Sequence, residues 1–399
     1  MKHNWEYKKL GEVGTVITGN TPSTKDKEYY SSNDFMFVKP GDIPEGRVSN
    51  IFETETYISE KAFSSVCRQL PKDAVLTTCI GNIGKVGILT KGATCNQQIN
   101  AIIPSKLIVP KYLAYSILSI KELLNSKKNG PVVPIINKTQ FSSFYIPVPP
   151  IETQERIVNE LDEINEMIEG RKEQIKLLDQ LAQSLFYEMF GDPISNPKGW
   201  EIKEIVEIFN TITDFVAAGS FASLRENVIY KENQDFAQLV RTVDLKSRFT
   251  KGSFVYVNKH AFDFLWRVNL NEECIILPNI GVNCGEVYYV KPNDLIYANN
   301  VLGPNAILIK SKKDIYLYLL YALKSPYFQD QLKLITNQVA QPKFNKTNLK
   351  SLKLPVPSIS LQNEFASKIE MIEEQKKDIE NSIKELETLL ASRMDYWFN

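Results

Sequence analysis

A chain of 399 residues, 43% hydrophobic and 24% charged, is long enough for two or more domains with their own cores. No run approaches roughly 18 uncharged apolar residues, so no membrane span is expected, and the opening residues Met1 to Leu10 are too polar for the apolar core of a secretory leader. Five cysteines (Cys67, Cys79, Cys95, Cys274, Cys284) without a C-x-x-C pair, and two histidines (His3, His260), argue against a zinc site and predict buried, reduced thiols in a cytoplasmic protein.

The net charge is zero, but it is segregated along the chain. Residues 1–150 carry +6, residues 151–190 carry −6, residues 191–357 carry +4 and residues 358–399 carry −4. Basic segments suit a polyanion. The acidic ones suit a protein partner.

Residues 1–150 read as a first globule. The turn signal Lys39-Pro40-Gly41-Asp42 and the apolar run Ala74 to Ile80 precede a helical stretch, Lys111 to Leu124. Gly81-Asn82-Ile83-Gly84 has the G-x-x-G spacing of a KH-type RNA loop but reads better as a tight turn. Asn137-Lys138-Thr139 and Ile146-Pro147-Val148-Pro149 close the globule, and Pro149-Pro150 ends it.

Residues 151–190 read as one long helix, with Thr153 as its candidate cap. Its apolar seam is Ile157, Leu161, Ile164, Ile168, Ile175, Leu178, Leu181, Leu185 and Met189, in heptad-like steps. Gly170 is its weak interior point, costing about 1 kcal/mol relative to alanine. Residues 191–357 form a second globule, with apolar runs Cys274 to Leu277 and Ala306 to Ile309 and a helical stretch Ile315 to Leu323. Residues 358–399, helical from about Leu361, carry the seam Phe365, Ile369, Ile372, Ile379, Ile383, Leu386 and Leu389.

The chain is written twice. Asn137-Lys138-Thr139 returns 208 positions later as Asn345-Lys346-Thr347, and Ile146-Pro147-Val148-Pro149 returns as Leu354-Pro355-Val356-Pro357. Gln154 falls on Gln362, Leu178 on Leu386, Leu181 on Leu389 and Phe190 on Phe398. Upstream, Asn4-Trp5-Glu6 matches Gly199-Trp200-Glu201. Inside the globules Tyr57 pairs with Tyr256, Ala62-Phe63 with Ala261-Phe262, and Asn82-Ile83-Gly84 with Asn279-Ile280-Gly281. The fold class is α+β: two mixed α/β globules related by a pseudo-two-fold repeat and separated by two long helices. The two helices are expected to pair antiparallel as a coiled coil; the alternative is that each packs along its own globule. Their aromatic ends (Phe186, Phe190; Trp397, Phe398) either pack under the opposite globule or meet another subunit.

Several chemistries lack their residues. There is no N-P-P loop for adenine methylation, no G-x-G, no P-loop, no G-x-S-x-G and no H-E-x-x-H. Glu201-Ile202-Lys203 has the E-x-K half of a nuclease motif without its preceding Pro-Asp. No catalytic residue is expected.

The doubled order of globule, [I/L]-P-V-P, Gln and long helix resembles the specificity subunit of type I restriction–modification systems. Leu185-Phe186-Tyr187-Glu188-Met189-Phe190-Gly191-Asp192 resembles the end of that family's central conserved region, and Gly19-Asn20-Thr21-Pro22 an opening motif of its target recognition domains. Asp214-Phe215-Val216-Ala217, followed by Gly219-Ser220, resembles another variant of such a domain. In Thr153 the chain departs from the family, where Glu is common.

The resemblance implies a non-catalytic subunit whose globules each read one half of a bipartite, gapped double-stranded DNA target. The helices would set the gap and dock two N6-adenine methyltransferase subunits, which bind the cofactor S-adenosylmethionine; motor-nuclease subunits would complete the complex. Phosphate and base recognition favour Lys, Arg, Asn, Gln, Ser and Thr. The candidates are Thr21, Ser23, Thr24, Lys25, Lys39, Asn82, Lys85, Asn96, Gln97 and Gln98 in the first globule. In the second they are Ser220, Ser223, Arg225, Arg241, Arg248 and Asn279. A DNA-binding adaptor or decoy uncoupled from methylation, and a protein-binding coiled-coil scaffold, are the competing readings.

Overall fold

The computed structural model describes residues 5–126, 134–250, 252–311, 315–336 and 341–399; Asn4 of the repeat lies outside them. Two compact units emerge. One joins Met1–Glu173 to Glu380–Asn399, and the other is Gln174–Ile379, so each takes a part of both long helices.

The first unit holds β1 (Glu6–Lys9), β2 (Gly14–Thr18), β3 (Phe35–Val38), β4 (Val48–Ile51), β5 (Tyr57–Ile58), β6 (Val75–Thr78), β7 (Val86–Leu89), β8 (Ala93–Cys95), β9 (Ile99–Pro104) and β10 (Tyr145–Val148). They form sheets ordered β2-β9-β6-β7-β4, β5-β3-β8 and β1-β10. The second unit holds β11 (Glu201–Glu204), β12 (Thr211–Asp214), β13 (Ala237–Val240), β14 (Val255–Val257), β15 (Cys274–Pro278), β16 (Tyr288–Val290), β17 (Asn300–Leu302), β18 (Ala306–Lys310) and β19 (Lys353–Val356). Its sheets are β12-β18-β15-β16, β14-β13-β17 and β11-β19. Among the described residues this is, strand for strand, the same topology without β4, including the parallel pairs β3–β8 and β13–β17.

The repeated residues have repeated jobs. Asn137 and Asn345 cap the short helices Lys138–Ser142 and Lys346–Lys350, each side chain accepting from the N–H three residues on. The first proline of each closing motif sits in a two-stranded ribbon, Pro147 opposite Tyr7 and Pro355 opposite Ile202, where a missing N–H is tolerated. Gln154 and Gln362 are buried and donate through Nε2 to Pro149 O and Pro357 O, both at 2.8 Å. The buried tyrosines Tyr112 and Tyr318 donate to the ribbon carbonyls Pro147 O (3.0 Å) and Pro355 O (2.5 Å).

The long helices span Ile151–Phe190 and Ile359–Phe398. The first starts directly after Pro150, so Thr153 lies inside its first turn rather than capping it. The second starts two residues before the expected Leu361. Both modes of packing occur. Ile157, Val158 and Leu161 join the core of the first unit; Phe365, Ile369 and Ile372 join that of the second. The helices also touch each other in antiparallel sense within each unit. In the first, Trp397 Nε1 donates to Glu160 Oε2 at 3.0 Å, and Arg393 bonds to the same carboxylate. In the second, Lys376 pairs with Asp179 at 2.8 Å and Phe190 packs on Phe365 at 5.1 Å between ring centres.

Several expectations need correction. Leu181 and Leu389 are 47% and 46% exposed, and Ile175, Leu178, Leu185, Ile379, Ile383 and Leu386 are half-buried. Near the end of the first helix burial passes to Ala182, Phe186, Met189 and Phe190. A straight helix of 3.6 residues per turn drifts off a heptad line, and here the neighbour is a sheet-and-helix core rather than one helix. The aromatic ends resolve in favour of globule packing: Phe186 and Phe190 lie in the second unit's core, and Trp397 and Phe398 in the first's. The contact itself repeats, Phe398 on Tyr112 at 5.4 Å and Phe190 on Tyr318 at 4.7 Å.

The first helix stops with all four terminal carbonyls satisfied, as helix ends require. Gly191, in the left-handed region at φ 79°, donates its N–H to Tyr187 O. Lys198 Nζ donates to Glu188 O and Met189 O, both at 2.9 Å, and Trp200 Nε1 to Phe190 O at 2.8 Å. Cys79, Cys95 and Cys274 are buried, Cys67 and Cys284 are half-buried, and all five are free thiols. Among the described residues no helix is long and apolar enough to cross a membrane, and no three His, Cys, Asp or Glu side chains cluster as a metal would need.

Candidate nucleic-acid interface

The strands of each unit bring chemistry to one edge. In the first unit β2, β3, β6 and β8 end there, and β7 and β9 begin there, as their registers dictate. Main-chain bonds lace the edge: Gly19 N–H to Ile99 O, Asn20 N–H to Cys95 O and Asn96 N–H to Val38 O. Gly19 is needed there, because a Cβ would fall 2.2 Å from the carbonyl oxygens of Cys95 and Asn96.

Most first-unit candidates meet on this edge. Thr21 donates to Gln97 Oε1, joining the loop after β2 to the turn after β8. Asn96 is buried and shapes that turn, donating from Nδ2 to Gln98 Oε1 and accepting from the Gln98 N–H, which leaves Gln97 as its exposed member. Lys39 N–H donates to Asp42 Oδ2 at 2.7 Å and its Nζ to Thr56 Oγ1 at 2.6 Å. Lys85 Nζ donates to Pro40 O at 2.9 Å, and Asn82 Nδ2 to Glu45 Oε2 at 2.8 Å. Lys121 and Asn82 together hold the Glu45 carboxyl below the usual carboxylate range. Ser23 shapes its loop by accepting from the Lys25 N–H, and Thr24 and Lys25 are exposed. Gly81 to Gly84 is the turn between β6 and β7.

The second unit repeats the edge with different side chains. Ser220 caps the helix Phe221–Asn227, its Oγ accepting from the Ser223 N–H. That helix presents Arg225, which is exposed. Arg241 follows β13 as Lys39 follows β3, and its N–H is likewise capped three residues on, by Asp244. Its guanidinium is largely engaged within the protein: it grips the fully buried Asp244 with two bonds, at 2.8 and 3.0 Å, and donates to Ser253 O. That bonding raises the Arg241 pKa above its ordinary value. Arg248 is exposed on left-handed backbone at φ 47°. Asn279 Nδ2 is bonded to Phe344 O at 3.0 Å.

Main-chain bonding corrects one alignment. Ile136 N–H donates to Cys79 O, and Phe344 N–H to Asn279 O. Gly81 N–H donates to Pro134 O, and Gly281 N–H to Pro342 O. Asn279 therefore matches Cys79, not Asn82; the shared N-I-G letters are three residues out of structural register. The sequence candidates also omit Asn20, whose side chain bridges Val66 O and the Arg68 N–H, and the Lys346–Asp214 pair at 2.8 Å. Both lay within quoted motifs, but their partners are remote in sequence.

Comparison with known proteins follows this doubled architecture. A sequence model of the Type I restriction modification DNA specificity domain matches residues 2–177 and again residues 197–388. The type I restriction enzyme MjaIX specificity subunit of Methanocaldococcus jannaschii is 30% identical over 338 residues, covering 80% of this chain and 76% of that protein. The S subunit of a type I restriction–modification system from M. genitalium superposes with a TM-score of 0.54 at 14% identity, covering 99% and 96% of the two chains. A chain from a structural study of type I system assembly gives 0.59 at 17% identity, covering 98% and 96%. Those two structures bear on the fold, and the sequence matches on the family. The chain belongs to the type I restriction–modification DNA specificity family, as a specificity subunit with two copies of its domain.

Proposed function

We propose that each unit reads one half of a bipartite, gapped DNA target and that the chain has no catalysis of its own. The observation that carries this is the doubled edge: one topology, used twice, presents Thr21 and Gln97 in one unit and Ser220 and Arg225 in the other. A shared scaffold with different loops suits two readers of different sequences.

In this reading the long helices set the gap and dock two N6-adenine methyltransferase subunits, which carry S-adenosylmethionine. Support comes from the charge of −6 and −4 on the helical segments and from exposed apolar residues on both, such as Met167, Leu177 and Met371. Motor-nuclease subunits would complete a restriction complex in the cytoplasm.

The test is a map of N6-methyladenine across the source genome, with and without this gene. Loss of one two-part, gapped motif is the expected result. An unchanged map would favour an adaptor or decoy over a methylation guide.

A further inference from the structure

Arg68 and Arg267 stand 199 positions apart in matching places. Arg68 follows the short helix Glu60–Ser65 that runs on from β5; Arg267 follows Lys259–Phe264, which runs on from β14. Each reaches back to the start of its larger sheet. Arg68 Nη1 donates to Thr18 O, at the end of β2, at 2.6 Å; Arg267 Nη1 donates to Ala217 O, just beyond β12, at 3.3 Å. Both therefore lie on the reading edge.

Both side chains are exposed, and neither meets a carboxylate among the described residues. Three other arginines are neutralised: Arg47 pairs with Glu169, Arg241 with Asp244 and Arg393 with Glu160. A guanidinium has five N–H donors in a rigid fork. One bond to the protein's own carbonyl fixes its position and leaves most of the fork open. Each arginine has a second anchor. The Arg68 N–H donates to Asn20 Oδ1 at 2.9 Å, tying the residue to the loop after β2. Arg267 lies 5.1 Å from the centre of the Trp266 ring.

We propose that Arg68 and Arg267 are a matched pair of DNA phosphate contacts, one per unit, that seat each reading edge on the duplex. This rests on the reading of the two edges as DNA-reading surfaces. The same residue at the same place in two domains with different loops cannot carry what distinguishes two half-sites. Phosphates are common to every sequence, and contacts to them set register rather than specificity.

The experiment uses the full chain assembled with its methyltransferase partner. Binding is titrated between 50 and 200 mM salt on two probes, a duplex carrying the mapped target and a scrambled duplex. Arg68→Gln and Arg267→Gln should each weaken binding roughly tenfold on both probes and flatten the slope of log affinity against log salt by about 1. Thermal melting should match the parent. Arg68→Lys and Arg267→Lys keep the charge and should keep the slope, which guards against a folding artefact. A parent-like slope in both Gln variants overturns the pair, as does a loss confined to the target probe, which would mark base readers. A parent complex with no salt-dependent binding to either probe would instead remove the reading of the edges, and the pair with it.

Discussion

Arg225 and Arg241 show how much a side chain's partner decides its role. Arg225 is exposed on a short helix, while Arg241 holds a fully buried carboxylate. Arg225→Ala should leave thermal stability within about 0.5 kcal/mol of the parent and alter methylation at the second unit's half-site alone. Equal loss at both halves would count against modular reading. Arg241→Ala strands Asp244 without its cation and should cost about 3–5 kcal/mol, visible as a lower melting temperature before any change of specificity. The thiols give a second residue-scale test. Burial pushes Cys79, Cys95 and Cys274 up to about 12, against an ordinary value near 9. At pH 8 they stay protonated, so iodoacetamide should label Cys67 and Cys284 slowly and the other three only after denaturation. The folded state also keeps protons that the unfolded state releases. Stability contributed by these thiols is thus present below about pH 9 and lost as pH rises towards 12; rapid labelling of all five at pH 8 would contradict the burial.

At the scale of elements, what the sequence made legible was whatever is local. Asn137 and Asn345 could be paired because a cap bonds three residues on, and Gln154 and Gln362 because they close a helix's first turn. Ile157, Leu161 and Ile164, and Phe365, Ile369 and Ile372, are buried as their spacing predicts. Leu181 and Leu389 fail because periodicity identifies an apolar face without identifying its neighbour. Lys39, Lys85 and Asn82 were chosen by residue type, but Thr56, Pro40 and Glu45, which engage them, lie 17 to 45 positions away and only the folded sheets bring them near. The helices make their own prediction. A four-residue insertion after Gly170, matched by one after its equivalent Asp378, adds about one turn, roughly 6 Å. The mapped motif should keep both half-sites and gain about two base pairs of gap. An active complex with the original gap would end the idea that the helices act as a ruler.

At the scale of the molecule, the first unit is assembled from two segments far apart in the chain, whereas the second is one continuous run. Trp397 and Phe398 complete a core otherwise built from residues before 174. Trp5 stacks on Trp397 at 6.0 Å, and Arg156 lies 5.5 Å from the same ring. Trp397→Ala should therefore destabilise the first unit by about 3–5 kcal/mol, although Gln174–Ile379 contains none of these contacts. Hydrogen exchange should show faster opening of β1 and β10 with β11 and β19 unchanged; matching acceleration in both ribbons would mean the units do not unfold separately.

The sharing of helix tips also imposes a timetable on synthesis. Phe190 is available to the second unit before that unit is made, but Phe398 follows it by 208 residues. At roughly 5–20 residues per second, the first unit waits some tens of seconds for its last aromatic residues while the rest of the chain is translated. During that interval its Tyr112 side of the core has no Phe398 to cover it. The half of the protein that emerges first from the ribosome is thus the half that matures last, and a premature stop late in the gene would damage the opposite end of the chain.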